Sequence, residues 1–145
     1  MSKTILGKEE SRRRVGIKLT RELGPVVGML LEDPSVIEIM LNPNGELWVE
    51  RLGESMKPCG HMPESAARNL MNTVSSWVNE ELTEHNPILE CELPLDGSRF
   101  EALVPPIVEG PTFTIRKRAI MIFTLNDYVE KGIMTAEQCG AIKAA

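Results

Sequence analysis

The stretch from Asn86 to Arg118 constrains the fold most, because it contains three apolar runs separated by turn chemistry. Asp96-Gly97 lies between the first two runs, 88–93 and 100–104, and a connection rich in Pro and Gly precedes the third run, 112–115. Asp-Gly between such runs indicates a hairpin, because glycine adopts positive φ without steric cost. The stretch therefore predicts three consecutive antiparallel strands.

Side-chain alternation along these strands separates a core face from a polar face. The apolar positions of the second and third strands share one face: Phe100, Ala102, Val104, Phe113 and Ile115. Arg99, Arg116 and Arg118 fall on the other face. Two guanidinium groups on neighbouring strands match the oxygens of a phosphate, since the planar fork bonds bidentately and keeps its charge. The alternative is that each arginine pairs with a surface carboxylate such as Glu101 or Glu109.

The preceding sequence predicts helices and a second hairpin. Apolar residues recur at helical spacing over 12–31, and Gly24-Pro25 predicts a kink or two consecutive helices there. Runs 36–41 and 46–52 flank an Asn-Pro-Asn-Gly turn, and residues 56–61 supply a short further strand. A second amphipathic helix begins near Pro63.

These elements predict the domain organisation. Residues 1–10 show no apolar periodicity and are expected to form a flexible N-terminus. Residues 11–123 form one α+β domain, an antiparallel sheet of about five to six strands with helices packed on it. Residues 124–145 contain two capping-box-like starts and are expected to form a helical linker.

Composition limits the classes of function. A net charge of −5 and a pI near 5.1 argue against a sequence-independent nucleic-acid binder, which needs a broad basic surface. The three cysteines are widely spaced, as expected of free thiols in a reducing compartment. No apolar segment approaches the ~20 residues of a membrane span, so we expect a cytoplasmic protein.

Common catalytic motifs are missing from this sequence. It contains no G-x-x-x-x-G-K-[ST] phosphate loop, no G-x-S-x-G elbow and no H-E-x-x-H helix. A metal site built from Cys59, His61, His85 and Cys91 is disfavoured, because Cys-Gly-His is too tight for the usual zinc knuckle. We therefore expect no metal bound by this chain.

Three motifs in order resemble the N-terminal domain of the type II/type IV secretion traffic-ATPase family, and most closely its conjugative-transfer members. They are LLEDPSVIEIMLN from Leu30, DGSR from Asp96 and TFTIRK from Thr112. The resemblance covers about Leu19 to Met134. It implies a PAS-like α/β sandwich, joined in that family to a RecA-like motor domain with the phosphate loop.

The resemblance also implies a function and site residues. Such domains assemble with the motor into a hexameric ring, and ATP or ADP with Mg²⁺ lies between the two domains, the metal held by the motor. The arginines that match the family's phosphate-contacting positions are Arg99 and Arg116, with Arg118 a weaker candidate. The expected partners are further copies of the chain, other cytoplasmic ATPases and inner-membrane components of a secretion machine. The chain is not expected to make sequence-specific contacts with nucleic acid. It is expected to lie in the cytoplasm, peripherally at the inner face of the inner membrane.

The sequence departs from the family pattern in stopping at Ala145, where the family continues into the motor. We therefore expect a truncated product or excised domain that does not hydrolyse ATP alone, because phosphoryl transfer needs the phosphate loop and Mg²⁺. The alternatives are a stand-alone PAS-like module that binds a small ligand or a protein, and a single-strand nucleic-acid module using Ile115–Arg118 and Trp48.

Overall fold

The computed structural model describes residues 2–118 together with residues 132, 135 and 137. The elements are α1 (Ser2–Glu32), β1 (Val36–Leu41), β2 (Glu46–Arg51), β3 (Lys57–His61), α2 (Glu64–Trp77), β4 (Ile88–Glu92), β5 (Arg99–Leu103) and β6 (Thr112–Arg116). The predicted α+β class is confirmed. Most of the predicted linker, 124–145, lies outside the described residues.

The strands form one antiparallel sheet in the order β3-β2-β1-β6-β5-β4. Both predicted strand groups are present, β1 to β3 and β4 to β6, and each is a meander of sequential neighbours. The connection through α2 carries the chain from one edge of the sheet to the other. Strands β1 and β6 therefore meet at the centre although they are distant in sequence.

The helices cover one face of the sheet and bury its apolar side chains. The buried helical residues are Leu19, Leu23, Val27 and Leu30 of α1 and Ala67, Leu70, Met71 and Val74 of α2. They pack on the buried face of the strands, where Phe100 and Phe113 stack with ring centroids 5.8 Å apart. Burial of each large apolar side chain contributes roughly 1.5–3 kcal/mol, so this layer holds the sheet and helices together.

Helix α1 is kinked where the sequence predicts it. Gly24 has φ 82° and ψ 173°, a conformation that glycine adopts readily, and Pro25 cannot donate to the preceding turn. The helix begins at Ser2, however, so residues 2–10, predicted to be flexible, are helical. The Glu10 carboxylate accepts hydrogen bonds from Arg13 and Arg14 one turn later. Such pairs stabilise a helical turn without apolar periodicity.

The turn between β4 and β5 is built on the Asp-Gly pair. Gly97 has φ 75°, and the Asp96 carboxylate accepts a hydrogen bond from the Ser98 amide at 2.9 Å. The Arg12 guanidinium of α1 donates to the Pro94 carbonyl at 3.0 Å and ties the helix to this turn. The turn is thus held both by a hydrogen bond within it and by a contact from α1. Strand β5 begins directly after this turn, at Arg99.

Candidate functional site

A row of five charged residues crosses the sheet on the face opposite the helices. In the order of their strands from β2 to β4 they are Glu50, Glu38, Arg116, Arg99 and Glu92, each directly opposite the next. The predicted alternation is confirmed, because Phe100, Phe113 and Ile115 are buried on the other face. The register brings Arg99 and Arg116 together as a directly opposed pair on β5 and β6.

The hydrogen bonds at the end of β6 show how Arg116 faces its neighbours. The Lys117 amide donates to the Ile37 carbonyl at 2.9 Å. Because bonded and non-bonded pairs alternate along an antiparallel ladder, Arg116 and Glu38 form a non-hydrogen-bonded pair. Their Cα atoms are then about 4.5 Å apart, the spacing at which cross-strand side chains lie closest.

The other arginine has a corresponding carboxylate neighbour. The Leu93 amide donates to the Ser98 carbonyl at 2.8 Å, so Arg99 and Glu92 also form a non-hydrogen-bonded pair. The backbone groups of Arg99 then point toward β6, and Arg99 and Arg116 are a hydrogen-bonded pair with Cα atoms about 5.5 Å apart. Each arginine therefore lies between the other arginine and a glutamate.

The two guanidinium groups are exposed above a shallow cleft. The cleft has a volume of about 190 Å³ and is lined by the two arginines together with Glu38, Glu90, Phe100, Glu101 and Thr114. Among the described residues, no ion pair within 4.0 Å includes Arg99 or Arg116. Carboxylates are thus nearby, but neither guanidinium is held by one, and both can turn toward a ligand in the cleft.

Arg118 lies apart from this cleft. It follows the end of β6, and its side chain rests over the β4–β5 turn: a Cβ added at Gly97 would be 3.0 Å from the Arg118 Nη1 atom. Arg118 does not line the cleft of Arg99 and Arg116. The structure therefore brings together two of the three arginines singled out from the sequence.

Lys117, which sequence reasoning missed, anchors the end of β6 to helix α1. Its ammonium group donates to the Asp33 carbonyl and, at 3.5 Å, to the Leu30 carbonyl at the end of that helix. A cation near a helix C-terminus is favourable, although partial burial lowers the pKa of Lys117. The sequence did contain a signal for this contact: Lys117 follows the outward-facing Arg116, so alternation directs the Lys117 side chain toward the helices. This contact holds the strand end that carries Arg116.

The residues of the alternative sites are not brought together. Ile115 is fully buried, so it is not part of a nucleic-acid surface, and the indole nitrogen of Trp48 donates to Glu46 at 3.1 Å. Cys59 is on β3 and Cys91 is on β4, the two opposite edge strands. Over the described part of the chain, no cluster of three His, Cys, Asp or Glu residues is arranged to hold a metal ion, and no helix there is long and apolar enough to cross a bilayer.

Comparison with known proteins identifies the class of this domain. No protein-family model matches the chain. Its fold is that of the N-terminal domain of the VirB11 ATPase: the crystal structure from the Brucella suis type IV secretion system, in complex with sulphate, matches with a TM-score of 0.71 and 23% identity, covering 89% of this chain and 39% of that one.

The sequence relatives are more specific. The chain is 44% identical over 135 residues to the probable conjugal transfer protein TrbB of Sinorhizobium fredii, covering 93% of this chain and 42% of that protein, and equally to TrbB of Rhizobium radiobacter. VirB11 of Bartonella henselae is 32% identical over 130 residues, covering 86% of this chain and 35% of that protein. The chain is thus a homologue of the TrbB and VirB11 proteins, as its motifs predicted. It spans about 42% of the length of the TrbB relatives.

Proposed function

We propose that this chain is the nucleotide-facing and ring-assembly domain of a hexameric ATPase that powers conjugative DNA transfer through a type IV secretion system. In this proposal Arg99 and Arg116 contact the phosphates of ATP. The observation that carries it is the directly opposed arginine pair with no ion pair among the described residues.

The arginine pair fits a phosphate for an electrostatic reason. Like charges directly opposite each other across strands are destabilising. An anion between two guanidinium groups removes that repulsion and gains charge-assisted, bidentate hydrogen bonds. The strands fix the two Cα atoms about 5.5 Å apart, so both groups can reach one phosphate without ordering a loop. The names of the relatives agree with this role, since the Brucella suis protein is an ATPase in complex with sulphate, a tetrahedral oxyanion.

The charge of the cleft supports a role for the domain alongside a second, motor domain. Arg99 and Arg116 contribute +2, whereas Glu38, Glu90 and Glu101 contribute −3, so the cleft has a formal charge of −1. Two arginines in such a setting hold a phosphate weakly. In the proposed ATPase, a motor domain supplies the phosphate loop and the Mg²⁺ ligands, and ATP supplies the phosphoryl group to be transferred. The role of Arg99 and Arg116 is to neutralise charge on the phosphate from the opposite side.

The wider setting is part of the same proposal. The domain associates with copies of itself into a ring, on the cytoplasmic side of the inner membrane. Its partners there are other ATPases and the inner-membrane components of the secretion machine. The names of its relatives support this setting, since they are conjugal transfer and type IV secretion system proteins.

ATP turnover by the full-length protein tests the roles of the arginines. Arg99→Ala and Arg116→Ala are each expected to lower kcat by at least about tenfold, since loss of one donor to a developing charge commonly costs more than this. Arg13→Ala is the matched control, because Arg13 is an exposed arginine of α1 with a local Glu10 partner. Circular dichroism of each variant of the 145-residue chain checks folding. Wild-type turnover in both Arg99→Ala and Arg116→Ala would contradict the assignment.

A further inference from the structure

The two edges of the sheet differ in how they are protected. On β3, Pro58 has no N–H to offer, Lys57 is exposed, and the register with β2 shifts between Leu47 and Trp48. Proline, lysine and irregular register are the usual means of preventing a further strand from pairing with an edge. Strand β4 has no proline or lysine, and its register with β5 is continuous over all five residues. Strand β4 is therefore protected only by its exposed glutamates, which disfavour an acidic strand but can pair with a basic one.

The hydrogen bonds of β4 show which backbone groups face outward. The Val104 amide donates to the Pro87 carbonyl at 3.0 Å beyond one end, and the Leu93 amide donates to the Ser98 carbonyl at 2.8 Å beyond the other. Bonded positions alternate between these ends. The intervening residues whose N–H and C=O groups point away from β5 are therefore Ile88, Glu90 and Glu92. Within the described chain, none of these outward groups has a backbone partner.

The same residues give this edge a defined chemical character. The side chains of Ile88, Glu90 and Glu92 are all exposed, and Ile88 is 49% exposed. The connection before the strand adds three further carboxylates: Glu80, Glu81 and Glu84. Partial burial raises the pKa of the Cys91 thiol to about 11, and the nearby Glu80 and Glu92 carboxylates contribute to the rise. The β4 edge thus combines unpaired backbone with a high density of negative charge.

The negative charge of the β4 edge determines which kind of strand can pair with it. A second copy paired antiparallel through β4 and centred on Glu90 would place the two Glu90 carboxylates opposite each other, which is unfavourable. Residues 119–145 contain only Lys131 and Lys143 as basic residues, so this chain has no alternating basic run there to pair with the edge. A strand whose lysine or arginine side chains alternate with uncharged residues would place its positive charges opposite Glu90 and Glu92.

We propose that the β4 edge is a docking site for an extended, basic segment of another protein, which adds to the sheet as a seventh strand next to the six present. Main-chain hydrogen bonds to Ile88, Glu90 and Glu92 give the affinity, and the two glutamates select basic side chains. The edge adjoins the arginine cleft, since Glu90 lines that cleft and Glu92 lies opposite Arg99, but strand addition uses the outward backbone groups of β4 and does not depend on the proposed nucleotide role.

Amide hydrogen exchange on the 145-residue chain tests the proposal with a synthetic peptide as the probe. The peptide TKVKVKT, acetylated and amidated at its ends, is compared with TEVEVET and with the scrambled sequence KKKTTVV. TKVKVKT is expected to slow exchange of the outward Ile88, Glu90 and Glu92 amides at least about tenfold at saturation, because exchange of a hydrogen-bonded amide requires opening. The inward Leu89 amide, already bonded within the sheet, serves as the internal reference.

Three variants separate strand addition from simple charge attraction. Glu90→Pro removes one outward donor, together with one carboxylate, on an edge position that tolerates proline and is expected to abolish protection by TKVKVKT. Glu90→Gln removes the carboxylate alone and is expected to weaken this protection without abolishing it. The double change Glu90→Lys and Glu92→Lys is expected to transfer the preference to TEVEVET. Glu109→Gln, which removes an exposed carboxylate from the connection between β5 and β6, is the matched control and leaves protection in place.

Three results would overturn the proposal. The first is equal binding of TKVKVKT and KKKTTVV with no slowing of the Ile88, Glu90 and Glu92 amides, which indicates charge attraction only. The second is protection that survives Glu90→Pro unchanged. The third is protection of the same amides without peptide that increases with protein concentration, which indicates a second copy as the occupant.

Discussion

Replacement of Glu38 by glutamine is expected to strengthen anion binding at the arginine pair. Glu38 lies opposite Arg116 in a non-hydrogen-bonded pair, the closest cross-strand arrangement, with Cα atoms about 4.5 Å apart. Its carboxylate and a bound phosphate attract the same guanidinium group. The neutral glutamine keeps the size of the side chain and removes that competition.

The register and exposure of the pair set the magnitude. Arg116 is exposed and Glu38 is half-buried. Two unit charges about 5 Å apart in water interact by roughly 0.8 kcal/mol, within the range of about 0.2–1 kcal/mol for exposed ion pairs. If Glu38→Gln returns this free energy to the anion, Kd for pyrophosphate falls by about 1.4- to 5-fold.

Pyrophosphate titration of the 145-residue chain, followed by NMR at the Arg99 and Arg116 amides, measures this change. Glu50→Gln is the matched control, because it removes the same charge one strand farther along the row. Two strand spacings place it about 9–10 Å from Arg116, where about 0.1 M salt screens much of the interaction. Equal effects of the two variants would mean that only net charge matters, and no effect of Glu38→Gln would refute competition for Arg116.

Three further predictions concern stability. Phe100→Ala removes a ring that is 1% exposed and stacked on the Phe113 ring of β6. This change is expected to lower the free energy of unfolding, measured by urea titration, by about 3–5 kcal/mol. Gly97→Ala must adopt φ near 75° and is expected to cost about 1–2 kcal/mol in the same assay, whereas Gly97→Asn costs less. The pKa of Glu10 is lowered to about 2, mainly by its hydrogen bond with Arg13. The ionised Glu10 side chain therefore stabilises the first turns of α1 at pH values above its ordinary pKa of 4.5, and this stabilisation is lost as the pH falls toward about 2. The NMR chemical shifts of the amides of residues 6–14, followed over this pH range, measure the loss.

Local sequence patterns predicted the elements of this fold well. Period-two alternation placed Phe100 and Ile115 on the core face, and turn residues located both hairpins. The Gly24-Pro25 kink followed from backbone chemistry alone. These features depend on contacts between near neighbours in the chain, which a single sequence encodes directly.

Local sequence patterns could not predict which residues surround the arginines of the candidate site. Alternation assigns a side chain to a face but says nothing of which residue on a distant strand lies opposite it. The pairing of β1 with β6 brings Glu38 to Arg116 across a long separation in sequence, and no local signal fixes that register. Arg118 was assigned to the face of Arg116 by alternation, but it lies two residues beyond the end of β6 and its side chain lies over the β4–β5 turn.

The charged row has a consequence for how the proposed site exchanges its ligand. The Cα atom of each arginine is nearer to that of a glutamate than to that of the other arginine, since non-hydrogen-bonded pairs are about 1 Å closer than bonded ones. The repulsion within the arginine pair is therefore offset at both ends, and the domain can fold without an anion. A phosphate that binds must compete with the weak attraction of Glu38 and Glu92 for the two arginines. When the phosphate leaves, these two carboxylates again neutralise part of the arginine charge. In the proposed ATPase, Glu38 and Glu92 are therefore expected to lower the affinity of the arginine pair for phosphate and to favour its release after the motor domain has released it.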